Sequence, residues 1–282
     1  MEITGDLDAL HARIGGWRRG GARIGFVPTM GNLHAGHHAL VRCARGDADR
    51  VVASIFVNPT QFGPDEDFAR YPRTPDADAA GLAAAGCGLL WAPSVDTMYP
   101  LGVAAATLVR VPGITDILDG AHRPGHFDGV CTVVARLLLQ VQPDVAAFGR
   151  KDYQQLAVIR AMVRDLAFPV ALLAVDTVRE DDGLAMSSRN QYLDANARAR
   201  APALHRALQA MRDAVRSGED PAAAGDAARD TLQAAGFAVD YAEVRTSDLR
   251  MPDDRDAALV ALVAARLGTT RLIDNLAFDR GG

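Results

Sequence analysis

Lysine is nearly absent from this chain of 282 residues. Lys151 is the only lysine among 30 basic side chains, and the other 29 are arginines. An ammonium group is a compact point charge whereas a guanidinium group is a planar fork, so the two are not interchangeable where one charge must fit closely against a phosphate. The retained lysine therefore indicates a functional position, although composition alone gives equal weight to retention by chance.

Cysteines are few, and long apolar runs are missing. Cys43, Cys87 and Cys131 are odd in number, widely spaced and set among apolar residues, which argues against a disulfide framework and predicts buried free thiols. No apolar run is long enough to span a bilayer, and Asp6 and Asp8 interrupt the apolar core that a signal peptide would need. We therefore expect a cytoplasmic protein with no membrane partner.

The chain also lacks an excess of positive charge. Its formal net charge at pH 7 is −5 and its pI is near 5.8. A protein whose main ligand is a nucleic acid usually presents a basic face, so we expect no nucleic-acid partner. A small anionic ligand requires only a local positive site. The composition is that of a globular protein, and the length fits two domains.

One segment near the N-terminus combines a strand, a turn and a helix. An apolar strand over Ala22–Val27 is followed by Pro28, and a helical pattern runs through Ala39–Arg45. The N-terminus of such a helix offers unpaired N–H groups and the positive end of a dipole, which suit an anion. Gly31 and Gly36 would let a polyphosphate approach the backbone, because neither carries a Cβ.

His34 and His37 lie in this turn. Two histidines three residues apart are by themselves more often surface or core residues, but the run from Pro28 to His37, PTMGNLHAGH, is similar to the nucleotidyltransferase signature, in which histidines contact phosphates. Zinc binding is the rival interpretation. It lacks a cysteine or carboxylate cluster at companion spacing.

Buried apolar runs alternate with helical patterns through the first part of the chain, which predicts an α/β domain with a parallel sheet. The predicted strands are Ala22–Val27, Arg50–Val57, Cys87–Ala92, Ala106–Val111, Asp144–Gly149 and Pro169–Val175. Residues 1–20 are predicted as a short helix. The alternation stops after Val175, so we place a domain boundary between residues 177 and 178. A smaller α+β domain follows, with predicted helices over 195–216 and 221–235 and strands over 239–245, 257–265 and 270–278.

Polar side chains follow the predicted strands where ligands bind in open α/β sheets. Asn58 and Gln61 come after the strand at Arg50–Val57, where their amides would orient hydroxyls or a carboxylate; a capped turn is the alternative. Lys151 begins a helix after the strand at Asp144–Gly149. Gln155 lies one turn further along that helix.

Three further polar segments have two interpretations each. Asp76 and Asp78 open an alanine-rich helix, where they serve either the helix N-terminus or a magnesium ion. The loop Gly120–Gly129, with its arginine and histidines, either closes over an anion or is solvated surface. Met186–Asn190 is either a phosphate clamp or an ordinary helix cap.

Together these segments resemble the pantoate-β-alanine ligase family, the pantothenate synthetases, over essentially the whole chain. The motifs that carry the resemblance are PTMGNLHAGH at 28–37, FVNPTQF at 56–62, YPRTP at 71–75, FGRKDYQQ at 148–155 and MSSRN at 186–190. The resemblance implies a Rossmann-like domain that binds nucleotide and pantoate at 1–177, a lid domain at 178–282 and a homodimer. It implies ATP-dependent condensation of pantoate with β-alanine through a pantoyl-adenylate, with Mg²⁺ as cofactor.

The resemblance also assigns roles to single residues. Catalysis falls to His34, His37 and Lys151, and pantoate binding to Gln61 and Gln155. ATP binding falls to Met30, Gly31, Asn32, Leu33, His34, Ala35, Gly36, His37, Gly149, Arg150, Lys151, Asp152, Val178, Met186, Ser187, Ser188 and Arg189.

Two positions depart from the family pattern. Arg150 stands where a glutamate is usual, and Ala77 interrupts an acidic run that supplies a metal contact in relatives, so the metal ligands stay unassigned. Three other functions remain open. They are another adenylyltransferase with the same histidine motif, a nucleotide-binding protein without turnover, and an aminoacyl-tRNA synthetase, against which the acidic chain and the missing anticodon-binding domain count.

Overall fold

A computed structural model describes residues 1–64 and 66–281 of the chain. The chain forms two compact units: the first comprises Met1–Arg150 with Val158–Asp176, and the second comprises Lys151–Ala157 with the residues from Thr177 onward. The predicted roles of the two parts, substrate binding before residue 178 and a lid after it, stay predictions. Within the described part, no helix combines the length and apolar character that a membrane crossing requires.

The first unit contains a parallel sheet of six strands in the order β1-β4-β3-β2-β5-β6. The strands are β1 (Glu2–Thr4), β2 (Ile24–Thr29), β3 (Arg50–Ile55), β4 (Leu89–Trp91), β5 (Val145–Gly149) and β6 (Ala171–Val175). From β2 the chain adds β3 and β4 on one side and later returns to add β5 and β6 on the other. This reversal leaves the carboxyl ends of β2, β3 and β5 beside one another, at the place where open α/β sheets bind ligands. The predicted Rossmann-like α/β fold is confirmed.

Helices connect these strands. They are α1 (Leu7–Arg19), α2 (Ala35–Asp47), α3 (Pro75–Ala85), α4 (Val95–Met98), α5 (Asp119–His122), α6 (His126–Val141) and α7 (Tyr153–Asp165). A buried cluster of apolar side chains packs α2 and α3 against the sheet, including Val27, Val41, Ala53, Leu82 and Ala147. This packing fixes the first turn of α2 beside the end of β2.

The second unit is a three-stranded antiparallel sheet covered by helices. Its elements are α8 (Ala195–Arg200), α9 (Ala203–Arg216), α10 (Pro221–Ala234), β7 (Ala238–Thr246), β8 (Ala258–Leu267) and β9 (Thr270–Asp279), with strand order β7-β8-β9. Leu204, Leu208, Met211 and Val215 recur at helical spacing along α9 and enter one core with Val263 of β8. The predicted α+β character is confirmed.

Three predictions of local structure were wrong. Strand β1 was predicted as part of a helix, because three residues at a sheet edge show no periodicity. Residues 106–111 form no strand: Leu108 is 62% exposed, and the Val109 N–H donates to the Thr132 hydroxyl instead of a neighbouring strand. The single helix predicted over 195–216 is divided at Pro202, since proline has no N–H to continue the hydrogen-bond ladder.

The three cysteines are free thiols. Cys87 and Cys131 are buried, whereas Cys43 is half-buried, so the expectation of burial holds for two of the three. Burial raises the pKa of the Cys131 thiol to about 12, which keeps it protonated near neutral pH.

Candidate nucleotide and substrate site

The turn between β2 and α2 is sharp because its residues adopt left-handed backbone conformations. Gly31 has φ 87° and Asn32 has φ 50°. A Cβ on Gly31 would lie 3.1 Å from Oδ2 of Asp78 and 3.2 Å from Cγ2 of Ile55, so both the conformation and the space favour glycine. The Thr29 hydroxyl donates to the Ser54 carbonyl at 2.6 Å and accepts from the Gly31 N–H at 3.3 Å.

Asp78, in the first turn of α3, stabilises the turn between β2 and α2. Its carboxylate accepts the N–H groups of Asn32 and Leu33 at 2.8 Å each and the hydroxyl of Thr74 at 3.0 Å. Asp78 is 3% exposed, whereas Asp76 lies on the surface. The carboxylate of Asp78 is therefore engaged in positioning the loop. Among the described residues, no group of three His, Cys, Asp or Glu side chains is arranged to hold a metal ion.

The two histidines cap α2 reciprocally. Nδ1 of His34 accepts the N–H of Gly36 at 3.2 Å, and Nδ1 of His37 accepts the N–H of His34 at 3.3 Å. Their ring centroids are 4.2 Å apart at an interplanar angle of 51°. A Cβ on Gly36 would lie 2.8 Å from Cε1 of His34, so the fold-back of this ring requires glycine between the histidines.

These caps decide the chemistry that the imidazoles offer. Because Nδ1 of each ring accepts a backbone N–H, the proton of the neutral ring sits on Nε2. Each histidine thus offers Nε2–H as a donor, which suits a phosphate oxygen and removes the lone pair that zinc would need. This tautomer counts against the metal interpretation, and the phosphate contact stays a prediction.

Gln61 follows β3 in a short 3-10 helix, Pro59–Gln61, and is 8% exposed. Its side-chain Oε1 accepts from Nδ2 of Asn58 at 3.1 Å, and its Nε2 lies 3.0 Å from Sδ of Met30. The structure therefore brings the residue predicted for pantoate next to one predicted for ATP. Asn58, which is 1% exposed, also accepts a hydrogen bond from the Tyr99 hydroxyl at 2.6 Å.

The N-terminus of α6 holds the backbone of Gln61. Nδ1 of His126 lies 2.8 Å from the Gln61 carbonyl and serves as its donor. Arg123 forms a paired ion contact with Glu66 at 2.6 Å and lies 3.0 Å from Nε2 of His126. A Cβ on Gly129 would lie 2.4 Å from the Thr60 carbonyl oxygen, so the close approach of α6 requires glycine. Arg123 and His126 are half-buried and contact the Gln61 carbonyl, so they support the Gln61 segment and are not solvated surface. Closure of the loop over an anion stays a prediction.

Burial and charge set the protonation of this cluster. Burial and the neighbouring Arg123 charge lower the pKa of His126 to about 4, so the ring is neutral at pH 7. Burial acts to raise the pKa of Glu66, but the hydrogen bonds and charge of Arg123 outweigh it and hold that pKa below its ordinary value. The Arg123–Glu66 pair is thus charged while His126 is a neutral donor.

Lys151 follows β5 by two residues, in a 3-10 turn, Arg150–Asp152, that leads into α7. Its ammonium group lies 3.6 Å from Oδ1 of Asp152, and its peptide carbonyl accepts from Nδ2 of Asn275 at 2.7 Å. Arg150 pairs with Asp176 at 3.0 Å. Lys151 and the half-buried Gln155 belong to the second unit, and their approach to the histidines stays a prediction.

The remaining predicted ATP residues lie in a hairpin of the second unit. The N–H of Met186 donates to the Val178 carbonyl at 3.0 Å, which brings these two positions together. The Ser187 side chain accepts from the Arg189 N–H at 3.3 Å and caps a short helix, Ser188–Tyr192. The cap interpretation of Ser187 is therefore correct, and a phosphate contact of Ser188 or Arg189 stays a prediction.

Sequence reasoning did not identify Tyr99 or Asn275. It also did not predict that Arg123, His126 and Gly129 support the Gln61 segment. Neither Tyr99 nor Asn275 lies in a motif with a chemical signature. Each contacts a site segment from far along the chain. Only the clustering of charged and imidazole groups at 122–128 gave a signal, and it was ambiguous.

Comparisons with known proteins point to one family. The family model described as pantoate-beta-alanine ligase matches residues 2–277. The pantothenate synthetase of Xanthomonas axonopodis pv. citri is 65% identical over 279 residues, covering 99% of this chain and all of its own. That of Stenotrophomonas maltophilia is 61% identical over 278 residues, again covering 99% of this chain and all of its own.

Solved structures give the same result. The pantothenate synthetase of Thermus thermophilus matches with a TM-score of 0.92 and 49% identity, covering the whole of both chains. The pantoate-beta-alanine ligase of Francisella tularensis, solved with beta-gamma ATP and beta-alanine, matches with a TM-score of 0.84 and 31% identity over all of this chain and 99% of its own.

Proposed function

The chain belongs to the pantoate-β-alanine ligase family and is an ATP-dependent, AMP-forming ligase. We propose that the reaction is carried by Gln61, by Lys151 and by the turn between β2 and α2 that contains His34 and His37, called the histidine turn below. The substrates are pantoate, β-alanine and ATP. A structural neighbour is a complex with beta-gamma ATP and beta-alanine, which supports the same ligands here. The products are pantothenate, AMP and pyrophosphate.

The first half-reaction is adenylation of pantoate. The pantoate carboxylate, ionised at neutral pH, attacks the α-phosphorus, an oxygen–phosphorus bond forms, and the bond to the pyrophosphate oxygen breaks. No side-chain nucleophile is needed, so the residues act by in-line positioning and by stabilising charge on the phosphate oxygens. We assign this role to the Nε2–H groups of His34 and His37, to the N-terminus of α2 and to the ammonium group of Lys151. Gln61 and Gln155 hold pantoate.

The second half-reaction forms the amide. The neutral amine of β-alanine attacks the acyl carbon of pantoyl-adenylate, the carbon–oxygen bond to AMP breaks, and the amine loses a proton. Water would hydrolyse the acyl-adenylate, so the site must exclude it. We assign that exclusion to the domain that begins at residue 178, acting as a lid.

The single observation that carries the residue assignment is the reciprocal cap of His34 and His37, since it fixes two Nε2–H donors at a helix N-terminus. The test is a single-turnover experiment with ATP and pantoate in the absence of β-alanine. We expect one equivalent of pyrophosphate and of enzyme-bound pantoyl-adenylate, followed by release of AMP and pantothenate when β-alanine is added.

The same experiment separates the alternatives. Pyrophosphate release with other acceptors but not with pantoate would indicate a different adenylyltransferase. ATP binding without AMP formation, with both pantoate and β-alanine present, would indicate a nucleotide-binding protein without turnover.

We propose that Mg²⁺ enters with ATP. The carboxylate of Asp78 already accepts three protein donors, and the described residues offer no cluster of three metal-binding side chains. The residues thus do not fit a site that holds the ion alone. Mg²⁺ is commonly bound by substrate phosphates with few protein ligands, and the ATP phosphates would serve here.

We also propose that the protein acts in the cytoplasm as a homodimer, as the family resemblance implies. Sedimentation velocity at micromolar concentration tests the assembly. A single species at twice the chain mass of 29.9 kDa is expected. A single species at the chain mass would contradict the dimer.

A further inference from the structure

The side-chain amide of Asn58 has only one orientation that its neighbours accept. Its Oδ1 lies 3.3 Å from the Thr60 N–H, 3.0 Å from the Thr60 hydroxyl and 2.6 Å from the Tyr99 hydroxyl. A backbone N–H only donates, so the atom that faces it must be the oxygen. The NH₂ group of Asn58 therefore points the other way.

That NH₂ group meets two acceptors. One is the Gly129 carbonyl at 3.1 Å, which only accepts, and the other is Oε1 of Gln61 at 3.1 Å. Both hydrogens of Asn58 Nδ2 are thus used. An NH₂ of Gln61 in the same place would face another NH₂, so the Asn58 orientation dictates the Gln61 orientation.

Gln61 consequently presents a donor. With Oε1 engaged by Asn58, its Nε2 lies 3.0 Å from Sδ of Met30, at the end of β2. A thioether sulfur is a weak acceptor, which a substrate oxygen replaces readily. The side chain is therefore prepared for a carboxylate or hydroxyl oxygen that accepts a hydrogen bond.

Tyr99 supplies the shortest contact in this network. It is 1% exposed, and the Arg136 guanidinium lies over its ring at 5.1 Å while donating to the Met98 carbonyl at 3.1 Å. The ring is thus fixed from the side. Burial raises the pKa of Tyr99, so its hydroxyl remains a donor at working pH.

We propose that Tyr99 is a positioning residue for pantoate: together with the Thr60 N–H and the Gly129 carbonyl it holds the Asn58 amide, and thereby holds the Gln61 amide with its NH₂ toward the substrate. The proposal rests on the proposed function, since it takes pantoate as the ligand of Gln61. Tyr99 lies 38 residues after Gln61 in the chain, and on this proposal it acts through the orientation of two amides.

The test is Tyr99→Phe, which removes the donor and keeps the ring. We expect KM for pantoate to rise about fivefold to tenfold, the effect of weakening one hydrogen-bonded contact, while KM for ATP and kcat change less than about twofold. Tyr241→Phe is the matched control, because it removes the hydroxyl of another buried tyrosine, in β7 of the second unit. It should leave all three constants unchanged.

A second variant reverses the orientation of the Gln61 amide. In Asn58→Asp the group facing Gly129 and Gln61 becomes an oxygen, so the Gln61 amide must rotate and present its own oxygen to pantoate. We expect KM for pantoate to rise more in Asn58→Asp than in Asn58→Ala, where Gln61 is only released. Thermal unfolding of each variant shows whether it is folded.

The outcomes are distinct. Equal losses in every kinetic constant, together with a lower melting temperature in Tyr99→Phe, would reduce Tyr99 to a structural role and overturn the proposal. So would an unchanged KM for pantoate. If the wild-type protein forms no pantoyl-adenylate, the proposed function itself fails, and the variants are not needed to show it.

Discussion

The proposed function gives each histidine of the turn two tasks, and they use different ring nitrogens. Nδ1 completes the hydrogen bonds at the start of α2, and Nε2–H is the group that we propose donates to a phosphate oxygen. On this proposal, stability and catalysis depend on separate atoms of one side chain. Substitutions that keep one nitrogen's task and remove the other's can separate the two contributions.

His34→Asn should retain the cap and remove the donor, since asparagine is among the best N-cap residues. We expect single-turnover adenylation to fall about 10²-fold to 10³-fold, as on loss of one transition-state donor, with an unchanged free energy of unfolding. His34→Ala should lose adenylation equally and also about 1 kcal/mol of stability. Near-normal adenylation in His34→Asn would contradict the catalytic role.

Lys151→Arg tests whether the lone lysine is needed as a point charge. We expect adenylation to fall strongly, by about 10²-fold, because the planar guanidinium does not fit the place of an ammonium group against a phosphate. Circular dichroism and thermal unfolding should match the wild type. Turnover close to that of the wild type would show that the lysine was retained by chance.

At the scale of elements, helices that approach from elsewhere in the chain hold the two site turns. The first turn of α3 supplies Asp78 to the histidine turn, and the first turn of α6 supplies His126 to Gln61. Both contacts satisfy backbone polar groups of a partly buried turn. We therefore expect substitutions at these helix ends to disturb the site.

Asp78→Asn should weaken the histidine turn, because its NH₂ group would face a backbone N–H. We expect a loss of about 1–3 kcal/mol in the free energy of unfolding and a higher KM for ATP. Asp76→Asn, on the exposed side of the same turn, should change neither. When activity is measured against Mg²⁺ concentration, the Mg²⁺ concentration that gives half-maximal activity should be the same for both variants and the wild type. A tenfold increase in that concentration for folded Asp78→Asn would support the metal interpretation.

His126 predicts a dependence of stability on pH. Its folded pKa of about 4 lies below the ordinary value of 6.5, so the unfolded chain binds the extra proton first as the pH falls. The contribution of neutral His126 to the free energy of unfolding is complete above pH 6.5 and is lost progressively between 6.5 and 4. The loss amounts to about 2 kcal/mol between pH 7 and pH 5.

His126→Gln removes this titration and keeps a side-chain N–H for the Gln61 carbonyl. Urea unfolding at pH 7 and pH 5 should show a smaller loss of stability in the variant than in the wild type. Equal losses in both proteins would mean that His126 does not titrate in this window. The comparison cancels His38 and His205, whose pKa values burial also lowers.

At the scale of the whole molecule, Lys151 is grouped by its packing with the second unit, although it follows β5 by only two residues in the chain. The amide of Asn275 in β9 donates to its carbonyl at 2.7 Å, and the nearby Tyr153 hydroxyl donates to the Ser247 carbonyl at 2.9 Å. The C-terminal sheet thus fixes the backbone that carries the predicted catalytic amine.

Asn275→Leu should release the Lys151 backbone without touching any predicted ligand. We expect kcat to fall about tenfold, with a smaller change in KM for ATP, since a misplaced charge costs transition-state stabilisation first. Pre-steady-state adenylation is the measurement. A variant that unfolds cooperatively yet keeps the wild-type adenylation rate would exclude the positioning role of Asn275.

The features that were predictable from the sequence are those set by neighbouring residues in the chain. Hydrophobic periodicity predicted strands β2, β3, β5 and β6 and the second, α+β part. The histidine turn was predicted from its position after a strand and from its glycines. The same reasoning failed where neighbours in space decide, as at the short edge strand β1 and at residues 106–111, which find no strand to pair with.

The sequence by itself determined the family, through continuous motifs, and the fold class, through the alternation of apolar runs and helical patterns, and it predicted the segments of the site. Only the tertiary structure decided how the chemical groups are oriented. The Nε2 protons of His34 and His37 depend on caps within one helix turn, but the Gln61 amide depends, through Asn58, on Tyr99 and Gly129, and the histidine turn on Asp78. These contacts join residues from 41 to 71 positions apart, and nothing in a local pattern records such distances.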